Sequence, residues 1–157
     1  MNEGILDDQA IIELAAHLRD LRWPWSASHV PTVARALGWT MESDSEGGID
    51  FDTGLGPSSG SVEIDDKDGV SAVYAPVTSL IDFKMLSRAW LRDAFAHATG
   101  LLTEAFGDPT QRLPGPSPEV RWRGPDSTLG LNDTCTNVEI FSARNDYLDD
   151  LDHWEGD

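Results

Sequence analysis

The sequence has 157 residues, of which 28 are Asp or Glu and 11 are Lys or Arg, giving a formal net charge of −17. This charge argues against nucleic acid and anionic membranes as partners, because their phosphates would be repelled, and favours a basic protein or a cation. The single cysteine, Cys135, excludes an internal disulfide. No signal peptide and no membrane-spanning segment is recognisable, so we expect a cytoplasmic protein.

The N-terminal part of the chain predicts two helices. Asp7 or Asp8 caps the first helix. Its apolar residues recur with a helical period at Ile11, Leu14, Ala15 and Leu18. The helix ends before Trp23–Pro24, since proline disfavours a helical residue in front of it. A shorter helix begins near Pro31, which suits a first-turn position, and ends at Gly38.

From Trp39 onward, apolar residues alternate with polar ones, which is typical of half-buried antiparallel strands. The alternation predicts three strands, at residues 39–42, 49–52 and 62–65. Residues 70–77 form a fourth strand, which we expect to be central because it is more apolar than the others.

The longest helical pattern runs from Thr78 to Gly107. It opens with Ser79 and Asp82 at the spacing of a capping box, and Gly107 followed by Pro109 ends it. Two adjacent rows of apolar residues predict one broad buried face. The first row is Leu86, Trp90, Ala94, Leu101 and Ala105, and the second is Leu91, Phe95, Ala98, Leu102 and Phe106.

A loop over residues 108–118 and three further short strands, over 119–124, 128–132 and 137–143, complete the predicted elements. Their order indicates an α+β fold: an antiparallel sheet of about six to seven strands with the long helix and two shorter N-terminal helices packed on one face. We predict a single domain over residues 1–144 and an acidic C-terminal tail over residues 145–157.

Acidic side chains mark two candidate surfaces for a basic protein partner. If the alternation holds, the outer face of the sheet carries Glu42, Asp50, Asp52, Glu63 and Asp65. Like charges on neighbouring strands destabilise a sheet, so this face is either a solvated surface or a docking surface. The tail adds Asp149, Asp150 and Trp154, either as an amphipathic segment that docks in a groove or as a frayed end.

Sequence patterns that suggest catalysis or metal binding each have a better structural explanation. Residues 56–60 match the G-x-S-x-G motif, but no buried strand precedes Ser58 and no helix follows it. The acidic residues before Gly69 suggest a calcium loop, but the EF-hand spacing fails. The four His are scattered, and Cys135 has no basic neighbour. We therefore predict no catalytic residue, no metal site and no cofactor.

Basic residues are also clustered. Arg121 and Arg123 flank Trp122 on one short strand. Lys84, Arg88 and Arg92 lie near the start of the long helix. Because acidic residues are in large excess, we expect some of these five basic residues to pair with carboxylates inside the protein and to be structural.

Several short segments place Trp, Gly and Pro at the ends of predicted elements: Leu21–Trp25, Ala36–Trp39, Ala105–Pro109 and Pro118–Arg123. With these segments the chain resembles a bacterial family of small uncharacterised acidic domains and, more loosely, the immunity proteins encoded beside polymorphic toxins. The resemblance extends from Ile11 to Phe141 and carries no catalytic residues. It implies a cytoplasmic antidote that binds and blocks the toxic domain of a secreted effector.

These observations predict a non-enzymatic binding protein, an immunity protein whose acidic surface covers the basic active-site cleft of a toxin such as a nuclease. Two alternatives stay open. One is a secretion-associated adaptor or chaperone that binds through the apolar positions of the tail. The other is an enzyme that uses carboxylates on the sheet as metal ligands.

Overall fold

The structure is a computed structural model that describes residues 6–21, 23–45, 48–53, 59–65, 69–78, 88–134 and 137–156. Within these ranges, the side chains of residues 43–45, 88 and 153–156 are not described. The helices are α1 (Asp8–Arg19), α2 (Val30–Leu37), α3 (Arg88–Phe106) and α4 (Asn145–Gly156), with a short 3-10 helix at Ala27–His29. The strands are β1 (Thr40–Ser45), β2 (Gly48–Asp52), β3 (Gly60–Ile64), β4 (Val70–Pro76), β5 (Gln111–Leu113), β6 (Glu119–Arg123), β7 (Ser127–Asp133) and β8 (Val138–Arg144).

The described part of the chain contains one antiparallel sheet of eight strands, in the order β1-β2-β3-β4-β8-β7-β6-β5. This confirms the α+β class and the central position of β4. The prediction of six to seven strands is wrong, because β5 lies within the segment predicted as a loop. β5 has only three residues, and its first two are exposed. A strand this short shows no alternation that could reveal it in a sequence.

Different helices cover the two faces of the sheet. On the inner face, α1 and α3 pack on β7 and β8, while α2 packs on β1. The largest fully buried side chains of this layer include Ile11, Leu18, Leu91, Leu102 and Ile140. The prediction of helices on one face is incomplete, since the segment predicted as a tail forms α4 on the outer face. There Leu148 is buried in a small cluster with Ala72, Phe141 and Ala143.

The predicted ends of the first two helices are confirmed. The Asp7 carboxylate caps α1 by accepting a hydrogen bond of 2.8 Å from the Ala10 amide. α2 ends at Gly38, whose φ of 77° is a left-handed conformation that favours glycine. These ends direct the chain into β1 and place α1 across the sheet.

The long helix is described from Arg88, and the predicted capping residues Ser79 and Asp82 lie outside the described residues. The predicted start at Thr78 is wrong, because this residue still pairs with β8: its amide donates to the Val138 carbonyl at 3.2 Å, and its hydroxyl accepts from the Val138 amide at 3.0 Å. α3 has 19 residues and is about 28 Å long. It ends at Phe106, as the Gly107 stop predicts. Its fully buried or nearly buried positions are Leu91, Ala94, Ala98 and Leu102. The second predicted row thus supplies most of the core contact, and Ala105 of the first row is exposed.

The alternation predicted for the first strand is interrupted by a β-bulge. The register with β2 shifts between Met41 and Ser43, which leaves Glu42 as the extra residue. Met41 is opposite the buried Phe51, yet it is 40% exposed. A bulge bends its strand and increases the local twist, so Met41 does not enter the core that the alternation assigns to it.

Gly130 allows a close contact between two central strands. It lies opposite Phe141, and a Cβ atom at this position would overlap the Phe141 ring. We expect Gly130→Ala to lower the free energy of unfolding by about 1–3 kcal/mol through overpacking, measured by urea denaturation. The matched control is Gly100→Ala on α3, where open space surrounds the position and alanine should add about 1 kcal/mol. Wild-type stability in Gly130→Ala would contradict this packing.

Candidate functional site on the outer face of the sheet

One row of directly opposite residues crosses six strands of the sheet. The row consists of Asp50, Ser61, Tyr74, Phe141, Gly130 and Arg121. Residues that are opposite each other on antiparallel neighbours have their side chains on the same face. The outer face therefore changes along this row from acidic on β2, through aromatic on β4 and β8, to basic on β6.

The outer face of β1, β2 and β3 is the acidic half-sheet. Residues 36–66, which include these strands, contain no Lys or Arg. Asp50 and Asp52 lie on the outer face because the residues that alternate with them in β2 are buried. Glu42 adjoins them at the β1 bulge, where Ser43 pairs with Asp50. Two of the five predicted acidic residues, Asp50 and Asp52, thus share the outer face, and Glu42 lies at the neighbouring bulge.

Glu63 connects the acidic half-sheet to α4. Its carboxylate Oε2 accepts hydrogen bonds from the Tyr74 hydroxyl at 3.2 Å and from the Tyr147 hydroxyl at 2.7 Å. Burial, and then the negative charge of Glu63, raise the pKa of Tyr74 above its usual value, so this phenol stays a donor. Glu63 therefore has an internal structural role as well as its predicted place on the outer face.

Asp65 belongs to the turn between β3 and β4 and not to the strand face. Its Oδ1 accepts a hydrogen bond of 2.9 Å from the Gly69 amide, and its backbone amide donates to the Gly69 carbonyl at 2.8 Å. Arg144 Nη2 lies 3.6 Å from Asp65 Oδ2. The placement of Asp65 on the acidic face is therefore corrected: β3 ends at Ile64, and this carboxylate stabilises the turn.

Two arginines on β6 hold α4 on the outer face, which confirms their predicted internal pairing. Arg121 Nη1 donates to Asp152 Oδ2 at 2.8 Å, and Arg121 Nε donates to Glu119. Burial lowers the pKa of Arg121, but the hydrogen bonds to Asp152 and Glu119 outweigh this effect and raise it. Arg123 Nη1 donates to Asp149 Oδ1 at 2.8 Å, and this bond lowers the pKa of Asp149.

The predicted tail residues therefore have different surroundings. Asp149 is paired with Arg123, whereas Asp150 is exposed on α4. Trp154 lies within α4, but its side chain is outside the described part of the structure. Leu148, one of the apolar positions of the tail, is 5% exposed, so an adaptor-type partner could reach it only if α4 left the sheet.

A small concavity on the outer face, the lateral pocket, lies between α4 and the sheet and has a volume of about 150 Å³. Most of its walls are apolar or aromatic: Tyr74, Phe141, Ala143, Tyr147, Leu148 and Leu151. Its polar lining consists of Glu119, Arg121 and Asn132. The pocket thus joins an apolar wall to a polar end.

Glu139 does not line the lateral pocket itself but neighbours one of its lining residues, Asn132. It lies directly opposite Asn132, which in turn lies opposite Glu119, so the three side chains form a second row across β8, β7 and β6. Burial, with a further contribution from the charge of Glu119, raises the pKa of Glu139 from 4.5 to about 7. Asn132 Oδ1 is buried and has no donor within the described residues. One unsatisfied acceptor, Asn132 Oδ1, therefore lies beside a carboxyl group whose ionised form is disfavoured by burial.

An aromatic groove of about 590 Å³ forms a larger concavity between the end of α1, the end of α3 and the β6–β7 turn. The rings of Trp23 and Trp25 in this groove have centroids 5.1 Å apart. Trp25 has a φ of 54°, a left-handed conformation that costs a non-glycine residue about 1–3 kcal/mol. Trp23 Nε1 is buried with no acceptor among the described residues. Aromatic walls and backbone strain are both typical of binding sites.

The residues of the excluded motifs have structural surroundings or lie outside the described part. Ser58 and Cys135 lie outside it, while Ser59 Oγ accepts a hydrogen bond of 2.9 Å from the Thr53 amide. His97 Nε2 lies 2.7 Å from Asp8 Oδ1 and links α3 to α1. Among the described residues, no group of three or more His, Cys, Asp or Glu is placed to hold a metal ion.

Sequence reasoning missed Glu139 and Asn132 as candidate site residues. Both occupy ordinary polar positions of predicted strands, and only the pairing of β6, β7 and β8 brings them beside Glu119. The available signal was weak: Glu139 is a polar residue between two apolar neighbours, whereas Asn132 is followed by another polar residue, Asp133.

Comparison with known proteins identifies a family but no characterised relative. No helix in the described ranges is long and apolar enough to span a bilayer. Neither the curated proteins nor the solved structures include a significant match. A family model matches residues 9–143. The match runs from the second residue of α1 to the penultimate residue of β8, and it excludes α4. The chain therefore belongs to the family described as "Family of unknown function (DUF6301)".

Proposed function

We propose that this protein is a non-enzymatic binding protein that neutralises a basic protein partner, as an immunity protein neutralises its cognate toxin. The observation that carries the proposal is the distribution of charge on the outer face. Acidic residues of α4 pair with Arg121 and Arg123, whereas residues 36–66, which form the acidic half-sheet, contain no Lys or Arg. The carboxylates at this edge of the outer face therefore have no basic neighbour along the chain, and we infer that the negative potential is highest there.

A concentrated negative surface suits a partner whose own function requires positive charge. A toxin that acts on nucleic acid has a basic substrate cleft, because the cleft must attract phosphates. Complementary charge accelerates association and suppresses wrong partners. Rapid binding is an advantage for an antidote, since the toxin acts as soon as it is free.

Aromatic residues next to the acidic half-sheet support the same proposal. Tyr74 and Phe141 occupy the same cross-sheet row as Asp50, and their ring centroids are 6.2 Å apart. Interface energies are usually dominated by a few aromatic and arginine residues with charged residues around them. Phe141 is 4% exposed beneath α4, so the half-buried Tyr74 is the ring of this pair that a partner could contact.

The test is a pull-down with retained proteins identified at low and high salt. The surface variant is Glu42→Gln/Asp50→Asn/Asp52→Asn, which spares Glu63 and Asp65 because they also stabilise the fold. The matched control is Glu13→Gln/Asp93→Asn/Glu104→Gln, which removes three exposed charges from α1 and α3, the helices that cover the inner face.

We expect the wild-type protein and the control to retain one basic partner, with less retained at high salt. The surface variant should lose about tenfold in association rate at low salt, because steering depends on local charge. Equal retention by the surface variant and the control would refute the acidic half-sheet as the binding surface. Retention of no partner by the wild-type protein at either salt concentration would contradict the proposed function.

A further inference from the structure

We propose that the lateral pocket binds a lysine side chain of the basic partner, with the ammonium group held between Glu119, Asn132 and Glu139. This inference rests on the proposed function and names the position at which the partner inserts into the outer face. The supporting observations are the shape and lining of the pocket, the unsatisfied oxygen of Asn132 and the local excess of carboxylates.

The pocket has the size and the lining of a site for one long basic side chain. Its volume of about 150 Å³ equals that of about five liquid water molecules. Tyr74, Phe141 and Leu151 line the apolar wall, and Glu119 and Asn132 line the polar end. A lysine buries its methylene stem on apolar surface and keeps its ammonium in a polar environment. An aromatic wall adds a favourable interaction with a cation.

The polar end supplies acceptors that match an ammonium group. Asn132 Oδ1 is buried without a donor among the described residues, and an unsatisfied buried acceptor is unfavourable. Glu139 lies directly opposite Asn132, so their Cβ atoms are about 4.5–5.5 Å apart. The terminal torsion of an asparagine has a broad energy profile, which lets Oδ1 turn toward a donor that enters. An ammonium has three N–H donors for these oxygens.

The charges around the pocket favour a cation but do not favour a metal ion. Glu119, Glu139 and Asp152 are three carboxylates, and Arg121 is the described cation that faces them. The formal charges of these three carboxylates and one guanidinium add up to −2 when all four groups are ionised. Arg121 already donates to Glu119 and to Asp152, so these two carboxylates are not arranged around an empty metal position. A single ammonium, with an apolar stem, fits better than a bare ion.

Lysine binding should be coupled to a proton. Glu139 lies directly opposite Asn132 of β7 and Pro76 of β4. The charged groups around it are Glu119 and Arg121 of β6, and Arg121 is paired with Asp152 of α4. Because the pKa of Glu139 is about 7, about half of these carboxyls carry a proton at neutral pH. A bound ammonium favours the ionised carboxylate, so the proton leaves to solvent when lysine binds. Affinity should therefore increase as the pH rises from 6 to 8.

The test uses the full chain and an acetylated, amidated Gly-Lys-Gly peptide as probe, followed by NMR. The Glu139 carboxyl and the Asn132 side-chain amide should shift on titration, and the peptide should lower the pKa of Glu139. Glu139→Gln should weaken binding about tenfold, as expected for loss of a charge-assisted hydrogen bond. This variant removes a poorly solvated charge, so it should fold at least as well as the wild-type protein.

Three controls separate the outcomes. A peptide with norleucine in place of lysine should not shift Asn132, and a Gly-Arg-Gly peptide should bind more weakly than the lysine peptide. Glu13→Gln/Glu104→Gln, which removes two exposed charges from the helices on the inner face, should leave the peptide affinity within twofold. The inference is overturned if the lysine peptide binds Glu139→Gln as well as wild type, if the arginine peptide binds more tightly, or if no shift occurs at millimolar peptide. In each case the pull-down with the acidic half-sheet variant still tests the proposed function separately.

Discussion

Arg121→Ala should lower the free energy of unfolding by about 2–3 kcal/mol and detach α4 from the sheet. Removing one partner of a fully buried ion pair costs roughly 3–5 kcal/mol, because the other charge stays buried without compensation. The Arg121 side chain is 10% exposed, but its partners Glu119 and Asp152 are 18% and 40% exposed, so water reduces the effect. Urea denaturation measures the stability, and hydrogen exchange of the α4 amides measures the detachment.

Arg123→Ala is the matched control for this experiment. Arg123 lies two residues away on β6 and also pairs with α4, but its side chain is 48% exposed and that of Asp149 is 57% exposed. Exposed ion pairs contribute little and are screened by salt, so the loss of stability should be much smaller and should shrink as salt is added. Equal losses for the two variants would show that burial of Arg121 does not determine its contribution.

Glu139→Gln should stabilise the protein by an amount that grows with pH, reaching about 3 kcal/mol at pH 8. The pKa of Glu139 is raised from 4.5 to about 7 in the folded protein. A carboxyl with a raised folded pKa binds more protons when folded, so its contribution to stability is complete below pH 4.5 and is lost as the pH rises through 7. A shift of about 2.5 pKa units corresponds to about 3 kcal/mol.

Urea denaturation of the wild-type protein and the variant at pH 5, 6, 7 and 8 measures this difference. Glu104→Gln, which removes an exposed carboxylate from α3, shows how much stability comes from lowering the negative net charge alone. A difference between Glu139→Gln and wild type that stays constant from pH 5 to pH 8 would contradict the raised pKa. The amide of glutamine can also donate to Asn132 Oδ1, which adds a pH-independent part.

The elements that the sequence predicts well are those with local signals. The cap at Asp7, the stop at Gly38 and the stop after Phe106 follow from side-chain and backbone preferences within a few residues. The alternation in β2 and β3 follows from one buried face. These signals establish the class and the order of elements without any tertiary contact.

The elements that the sequence does not predict depend on distant partners. α4 has three acidic residues among its first six positions, at Asp146, Asp149 and Asp150, and looks like a solvated tail. Two of the helix acids, Asp149 and Asp152, become structural only because Arg121 and Arg123 of β6 lie beneath them. The separation of 26 to 31 residues between these partners hides the pairing from any local pattern.

The candidate site is affected by the same limitation. Alternation places Asp50, Asp52 and Glu63 on the outer face, but it does not show that Glu63 accepts hydrogen bonds from Tyr74 and Tyr147. It also gives no reason to single out Glu139, whose burial and raised pKa arise from the strands beside it. The face on which a strand residue lies and the charge of that face can therefore be predicted from sequence. The protonation state of a carboxyl group and its internal hydrogen-bond partners depend on the assembled sheet.

The bulge in β1 also affects whether two molecules of this protein can pair through their edge strands. β1 is an edge strand of the sheet, and an edge strand presents unpaired amides and carbonyls to which another chain can add. The shift between Met41 and Ser43 breaks the regular ladder, and the exposed Glu42, the extra residue of the bulge, places negative charge at this edge. A second copy would have to pair an irregular edge against like charges. The acidic residues that we propose for partner binding would thus also oppose edge-to-edge pairing of two copies.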